Sequence, residues 1–310
     1  MTDIHVVVGA GPVGQATACL LAKQGYDVLL GSRSGSGPEV PGVRRRAVDA
    51  ADPEALVRLA DGAAALHNCV NPPSYTVWPT FWPPVAEAFL AAAEKTGAVL
   101  VTAAALYPYG PVDGPMVEGM PDAATTKKSL IRAGMWAEAL QRHADGRIRA
   151  VEVRGSDYMG PGVSTETGHI ARVAPAALKG RTVRVFGRPD VPHSFTDVRD
   201  MARALAVVAV TPTSWGRVWH APTNPARTQA QVIADVCESV GREPAPVKAM
   251  PSVLLAVGGA LVPLLRELRE TEYQFLQPYV LDSSAIQREL GLSPTPWREV
   301  CRATADNALG

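Results

Sequence analysis

Gly9-Ala10-Gly11-Pro12-Val13-Gly14 is a Gly-x-Gly-x-x-Gly run, and its setting constrains the chain more than any other segment. It follows the apolar run Ile4–Val8, which suits a central parallel strand, and it opens a helical stretch over residues 14–23 that Gly25 ends. Strand, glycine turn and helix in that order make a phosphate-binding turn. Gly9 permits the tight turn, Gly11 lets the backbone approach a pyrophosphate, and Gly14 lets the helix pack close to the strand. The helix N-terminus adds free N–H groups and the positive end of its dipole. Gly9, Gly11, Pro12, Val13 and Gly14 are therefore candidate dinucleotide contacts. The flanks favour this reading over an ordinary glycine-rich turn.

The alternation continues down the chain. Residues 28–30, 43–48, 63–69, 98–102 and 148–153 read as strands, the second of them peripheral. Residues 53–59, 84–95 and 126–143 read as helices, with Asp52 capping the first and Pro53 at its first position. The expected fold class is α/β, a Rossmann-type doubly wound parallel sheet. After Arg154, segments rich in Gly and Pro alternate with helices expected at 168–178, 197–208, 229–240, 251–264 and 297–308, and with short strands at 183–186 and 217–220. Residues 1–165 are expected to form the nucleotide-binding domain. Residues 166–310 are expected to complete the sheet and to build a small substrate lobe over its carboxyl edge.

Composition removes several function classes. The 310 residues hold 30 Lys+Arg and 30 Asp+Glu, a formal net charge of +0, so neither a nucleic-acid partner nor a polybasic membrane surface is expected. The four cysteines, Cys19, Cys69, Cys237 and Cys301, are widely separated, and no Cys-x-x-Cys or His-Glu-x-x-His run exists, so no metal site is expected. They read as reduced thiols of a cytoplasmic protein without a signal peptide. The apolar segment 251–265 is shorter than a membrane span of ~20 residues. It reads as a buried or covering helix, with core packing ahead of a cover over the site.

The end of the second strand selects the dinucleotide. Leu29-Leu30-Gly31-Ser32-Arg33-Ser34 has no carboxylate to accept from a ribose 2′-hydroxyl. Ser32 can donate to a 2′-phosphate and Arg33 can pair with it, which points to NADP(H) over NAD(H). Arg33 is otherwise a solvated loop residue. Asp49 either meets the adenine amino group or serves its own turn.

Further motifs carry a family resemblance. Asn71-Pro72-Pro73 follows strand four, and Leu106-Tyr107-Pro108-Tyr109-Gly110 follows strand five. Arg154-Gly155-Ser156-Asp157-Tyr158-Met159-Gly160-Pro161-Gly162 follows strand six, and Pro192-His193-Ser194-Phe195-Thr196-Asp197-Val198 comes later. With the glycine turn, these resemble the extended, and more narrowly the atypical, short-chain dehydrogenase/reductases, the NAD-dependent epimerase/dehydratase family. The resemblance covers essentially the whole chain and implies a bound NAD(P). It places Asn71 and Pro72 beside the cofactor ribose, Gly155 and Ser156 near the nicotinamide, and Asp157 toward substrate. Lys128 falls at the family's active-site lysine, which binds the nicotinamide ribose; otherwise it is a solvated lysine beside Lys127.

Two departures stand out. The family's pair is Tyr-x-x-x-Lys, but Ala124 precedes Lys128 by four residues and Ala123 precedes Lys127. The family's strand-five Ser or Thr is also missing from Thr102-Ala103-Ala104-Ala105, unless Thr102 serves by a slipped register. Tyr107 and Tyr109, on the carboxyl edge after strand five, are the candidate replacement acids, Tyr107 first because it is nearer the strand. Both otherwise pack the loop. Asp157 and His193 are further candidates, although a lone histidine there is more often structural. The run Tyr75-Thr76-Val77-Trp78-Pro79-Thr80-Phe81-Trp82-Pro83-Pro84 either lines a pocket for an apolar substrate or makes a subunit contact in a homodimer.

The leading expectation is an NADP(H)-dependent oxidoreductase that reduces a small apolar metabolite. The alternatives are a redox-neutral epimerase, dehydratase or cyclase, and a non-catalytic NADP(H)-binding regulator, which the missing tyrosine favours.

Overall fold

A computed structural model describes residues 3–72, 74–250 and 270–310. The elements in chain order are β1 (Ile4–Val8), α1 (Pro12–Lys23), β2 (Asp27–Ser32), β3 (Val43–Ala47), α2 (Pro53–Leu59), β4 (Ala65–Asn68), α3 (Trp78–Thr96), β5 (Val99–Ala105), α4 (Lys127–Ala144) and β6 (Arg149–Gly155). There follow β7 (Asp157–Met159), α5 (His169–Ala177), β8 (Val183–Val185), β9 (Pro192–His193), β10 (Phe195–Asp197), α6 (Val198–Ala209), β11 (Val218–His220), β12 (Arg227–Thr228), α7 (Gln229–Glu238), β13 (Val247–Ala249), α8 (Ser284–Leu290) and α9 (Trp297–Leu309). The helix expected over 251–264 lies outside the described residues.

Seven strands form one sheet in the order β11-β6-β5-β4-β1-β2-β3, and every neighbouring pair is parallel. Strand order reverses between β1 and β4, so their carboxyl ends open a crevice. Val6, Leu66 and Leu100 face a core built with Leu56, Trp82, Phe89 and Trp136 from α2, α3 and α4. Val7, Val28 and Val101 face Leu21, Met201, Leu205 and Ile286 from α1, α6 and α8. The edge strand β3 carries Arg44, Arg45 and Arg46, charges that discourage further strand pairing. The later chain supplies β11 to the far edge and a third core of Ile170, Val232, Val236 and Val300 on α5, α7 and α9. Among the described residues no helix is long and apolar enough to cross a membrane.

Two expectations need correction. Helix α3 begins at Trp78, not Pro84, and absorbs most of the aromatic run. Trp78, Trp82, Val85 and Phe89 recur at helical spacing and are buried against the sheet, so the indoles are core and line neither a pocket nor a subunit contact. Prolines in the run imply a loop, yet Pro79 sits in the first turn, where no intrahelical donor is required. Strand five runs on to Ala105, so Thr102 lies within it, opposite Asn68 and Glu152, and does not end it.

A histidine pair lies in the middle of the sheet. His5 Nδ1 and His67 Nε2 are 3.0 Å apart, and both rings are buried. Burial pulls the His5 imidazole down to about 4, against a weaker upward pull from Asp3. Burial, and then the proximity of His5, holds His67 well below its ordinary value. Both are neutral in the fold, whereas the unfolded chain takes up protons below pH 6.5. The unfolded state therefore binds more protons, and stability present above pH 6.5 is lost as the pH falls toward about 4. We expect urea midpoints to drop between pH 7 and pH 4.5, with a shallower drop in His5→Gln/His67→Gln; identical slopes would show that the pair is not the source.

Candidate active site

The glycine turn sits at the crevice. Gly9 has φ +109°, a left-handed conformation, and a Cβ there would lie 2.4 Å from the Cys69 carbonyl oxygen. A Cβ on Gly14 would lie 1.8 Å from the Gly9 carbonyl oxygen. Gly11 differs, because among the described residues nothing beyond its own chain neighbours lies within 4 Å of where its Cβ would stand. That open space fronts the first turn of α1, where Pro12 occupies an early position that needs no intrahelical N–H. Ala10 and Val13 pack into the core beneath. Ser156 Oγ is buried and has no hydrogen-bond partner among the described residues, while its N–H donates to Thr196 Oγ1 at 3.0 Å. An orphaned hydroxyl at the same edge and a cleared backbone cradle both fit a bound dinucleotide.

The adenosine end is equally legible. A side chain on Gly31 would meet Val48 at 2.7 Å, so an acid cannot be carried there, and position 32 is serine. Ser32 Oγ donates to the Ser36 carbonyl at 2.8 Å, and Arg33 is exposed. Asp49 accepts from the Ala51 N–H, so of its two readings it serves its own turn. Asn71 is exposed and Pro72 buried after β4. Asn68, at the end of β4, was not singled out in the sequence; its Oδ1 accepts from the Val70 N–H at 3.2 Å and shapes that loop.

Lys128 lies in the first turn of α4, which Thr126 caps through the Ser129 N–H. Its Nζ donates to Glu270 Oε2 at 2.6 Å, its N–H to Glu270 Oε1 at 2.9 Å, and the ammonium lies 5.3 Å from the Tyr75 ring centroid. The side chain is 2% exposed, so it is not a solvated helix lysine. Burial pushes the Glu270 carboxyl up, but the Lys128 side chain and N–H outweigh it and hold the group below its usual range. No local sequence signal joins residues 142 positions apart.

Tyr107 and Tyr75 share a hydroxyl–hydroxyl hydrogen bond of 2.8 Å. Burial, then the neighbouring Tyr75 and the charge of Asp157, keep Tyr107 well above the ordinary phenol value, so its hydroxyl stays protonated at neutral pH. Tyr109 points elsewhere. Its hydroxyl donates to His220 Nε2 at 2.7 Å, its ring lies under the Arg154 guanidinium, and it is buried with Leu106, Val112 and Met116. Burial pushes its phenol up to about 12. These contacts are the loop-packing arrangement that was the alternative reading of Tyr109.

Asp157 Oδ2 lies 2.6 Å from His193 Nε2, and His193 Nδ1 lies 3.1 Å from the Gln274 carbonyl, which can only accept. Burial pushes Asp157 up, but the hydrogen bond and charge of His193, with His169 and Arg172 behind, bring it net below its usual value. With Asp157 ionised, both ring nitrogens of His193 face acceptors. Phe275 stacks with His193 at 4.6 Å and with His169 at 4.2 Å. His169 and Phe275 were missed in the sequence because their stack is tertiary. Tyr158 was quoted only as part of a motif; its hydroxyl lies 3.3 Å from where a Gly155 Cβ would stand, which explains the glycine.

The fold and the site define a dinucleotide-binding enzyme of the short-chain dehydrogenase/reductase type. A family model for the NAD-dependent epimerase/dehydratase family matches residues 5–219, and the chain belongs to that family. Its solved relatives in structure include MoeE5 in complex with UDP-glucuronic acid and NAD, at 20% identity, TM-score 0.81 and coverage of 99% of both chains. UDP-glucose 4-epimerase from Brucella ovis in complex with NAD is 17% identical, with TM-score 0.76 over 99% of this chain and 98% of that one. DesIV, a dTDP-glucose 4,6-dehydratase from Streptomyces venezuelae with NAD and TYD bound, is 18% identical, with TM-score 0.77 over 99% and 96%. A comparison with curated proteins finds no match.

The three glycines generate a separable expectation. Gly11→Ala, at φ −75°, should melt like the wild type and lose at least about tenfold in dinucleotide affinity, a change of about 1.4 kcal/mol. Gly14→Ala should lose fold stability in the absence of ligand. Thermal melts and calorimetric titration of both variants check this, and unaltered binding by Gly11→Ala would remove the cradle.

Proposed function

We propose that the chain is an NADP(H)-dependent oxidoreductase that reduces a carbonyl or conjugated bond of a small, mainly apolar metabolite. The observation that carries this reading is the buried Tyr107–Tyr75 hydroxyl pair beside Lys128, at the carboxyl end of β5. When bound, the nicotinamide supplies the hydride. Tyr107 gives its proton to the substrate oxygen that gains charge. The Tyr75 hydroxyl then donates to the Tyr107 oxygen, and the Lys128 ammonium beyond Tyr75 stabilises the negative charge. The partly buried rings of Tyr75 and Tyr107, packed on Trp78, support an apolar substrate. Residues 1–165 hold the cofactor in this reading, and residues 166–310 add the substrate lobe. Four free cysteines support a reducing, cytoplasmic setting.

NADP(H) preference is supported by the exposed Arg33 and by the lack of room for an acid at Gly31; the Ser32 hydroxyl is taken by the Ser36 carbonyl. The MoeE5 and Brucella structures hold NAD, so both cofactors belong in the titration. A redox-neutral epimerase or dehydratase is the second reading. It is favoured by the Asp157–His193 pair, a carboxylate and imidazole placed to move a proton at a carbon centre.

Arg33→Ala should cost NADPH, but not NADH, roughly 1.5–3 kcal/mol of binding, the scale of a hydrogen bond to a charged group; equal wild-type affinities would remove the NADP(H) preference. Tyr107→Phe should keep cofactor binding and lose ~10²–10⁴ in turnover. NADPH absorbance with a panel of carbonyl compounds reads this out. Product without NADPH consumption supports the second reading, and binding without any turnover would leave a regulator.

A further inference from the structure

Arg132, one turn beyond Lys128 on α4, has a charge that the described protein does not match. It is 5% exposed, and its guanidinium lies 4.5 Å from the Trp82 ring centroid. Among the described residues its acceptors are the Ala103 carbonyl at 3.1 Å and the Met135 sulfur at 3.8 Å. No carboxylate of those residues lies within ion-pairing distance of it. Glu152 exerts an attraction from farther off, but its carboxylate is bonded to Arg154 at 2.7 Å, and Arg154 repels. Among the described residues, Tyr158 and Tyr107 act on it more weakly. Burial accordingly works against its charge. A guanidinium offers five donors in a fixed fork, and a buried cation without a counter-charge costs several kcal/mol. Such a group fits a site whose remaining acceptors arrive with a ligand.

Its placement says which part of the ligand. The Ala103 carbonyl belongs to β5, and the Ala103 side chain packs in the same cluster as Ala10 and Val13 of the glycine turn. Ala103 is one residue past Thr102, which pairs with Asn68 at the end of β4, so the fork is anchored at the carboxyl edge of the sheet, on the side away from β2 and the adenosine end. Lys128 faces Glu270 and the Tyr75 ring instead. Lys128 and Arg132 are four residues apart and lie on one face of α4. Tyr-x-x-x-Lys has that same spacing. Placing Lys128 at the lysine leaves Ala124 at the tyrosine; shifted by one turn, the pair reads Lys128-Ser129-Leu130-Ile131-Arg132, with a donor at both positions.

We propose that Arg132 is a cofactor-binding residue whose guanidinium donates to the hydroxyls of the nicotinamide-side ribose, and that Lys128 stands at the place of the absent tyrosine, toward the substrate. The ribose role that the resemblance gave to Lys128 thereby passes to Arg132. The proposal rests on the dinucleotide-binding part of the functional reading and is independent of reduction or epimerisation.

Calorimetric titration of wild type, Arg132→Met, Arg132→Lys and Lys128→Met tests it. The probes are NADPH and NADH, and the half-molecules 2′,5′-ADP and ADP, which lack nicotinamide and its ribose. Arg132→Met should bind the tighter whole cofactor roughly 10- to 100-fold more weakly, the scale of one or two hydrogen bonds from a charged donor, and bind the half-molecule unchanged. Arg132→Lys should recover part of the loss. Lys128→Met should bind the whole cofactor within about twofold of wild type, since the ribose contact is not its own. Without ligand, Arg132→Met should melt no lower than wild type, because an uncompensated charge has been removed. A lower melting point, an equal loss of half-molecule affinity, or a loss in Lys128→Met as large as in Arg132→Met overturns the proposal. If the wild type binds cofactor but never consumes NADPH, the oxidoreductase reading fails and this assignment stands.

Discussion

Three backbone segments meet at one point, and the rest of the site depends on how closely they approach. The Gly9 carbonyl lies where a Gly14 side chain would be, and the Cys69 carbonyl lies where a Gly9 side chain would be. This contact sets the start of α1 against the end of β4 and fixes the crevice at the β1–β4 switch. From there the parallel register carries the geometry outward. Asn68 stands beside Thr102, Thr102 beside Glu152, and Ala105 beside Gly155, so the loops after β4, β5 and β6 emerge along one edge. Tyr75, Tyr107 and Asp157 reach each other's neighbourhood because of that shared edge.

Electrostatics then divides the edge into two regions. Around Asp157, the imidazoles of His193 and His169 and the guanidinium of Arg172 keep a largely buried carboxyl ionised. Around α4, two cations enter from one helix face, and one of them is met by Glu270. Phenols occupy the ground between, with Tyr107 and Tyr158 both held above their ordinary values, first by burial. The phenols stay protonated at neutral pH, and the Asp157 carboxylate faces His193 in its ionised form. One edge therefore brings protonated phenols and an ionised carboxylate together.

Much of this was legible in the sequence because its physics is local. Gly9 to Gly14 announces itself through spacing and flanks, and the β-branched and apolar runs mark the strands. Thr126 and Asp52 were readable as helix starts because a cap is set within three residues. The aromatic run misled because its prolines imply a loop while Trp78, Trp82, Val85 and Phe89 keep helical period. Glu270 on Lys128, His220 on Tyr109 and Phe275 between two histidines join residues far apart in sequence, and spacing holds no trace of them. Arg132 had a signal, its position four residues after Lys128, but only burial with no ion pair among the described residues gives that spacing meaning.

The order in which these partners are joined has a consequence for synthesis on the ribosome. Strand β6 emerges with an open edge, and β11 covers it only when residues 218–220 have left the exit tunnel. Glu118 waits longer still, since it accepts from the N–H groups of His220, Ala285 and Ile286. Lys128 is made long before Glu270 exists to meet it. A nascent chain that has completed its glycine turn thus still exposes an unpaired strand and unmatched charges. Before residues 218–220 appear, β6 is an unpaired edge, and a product truncated there would be prone to pair edge to edge.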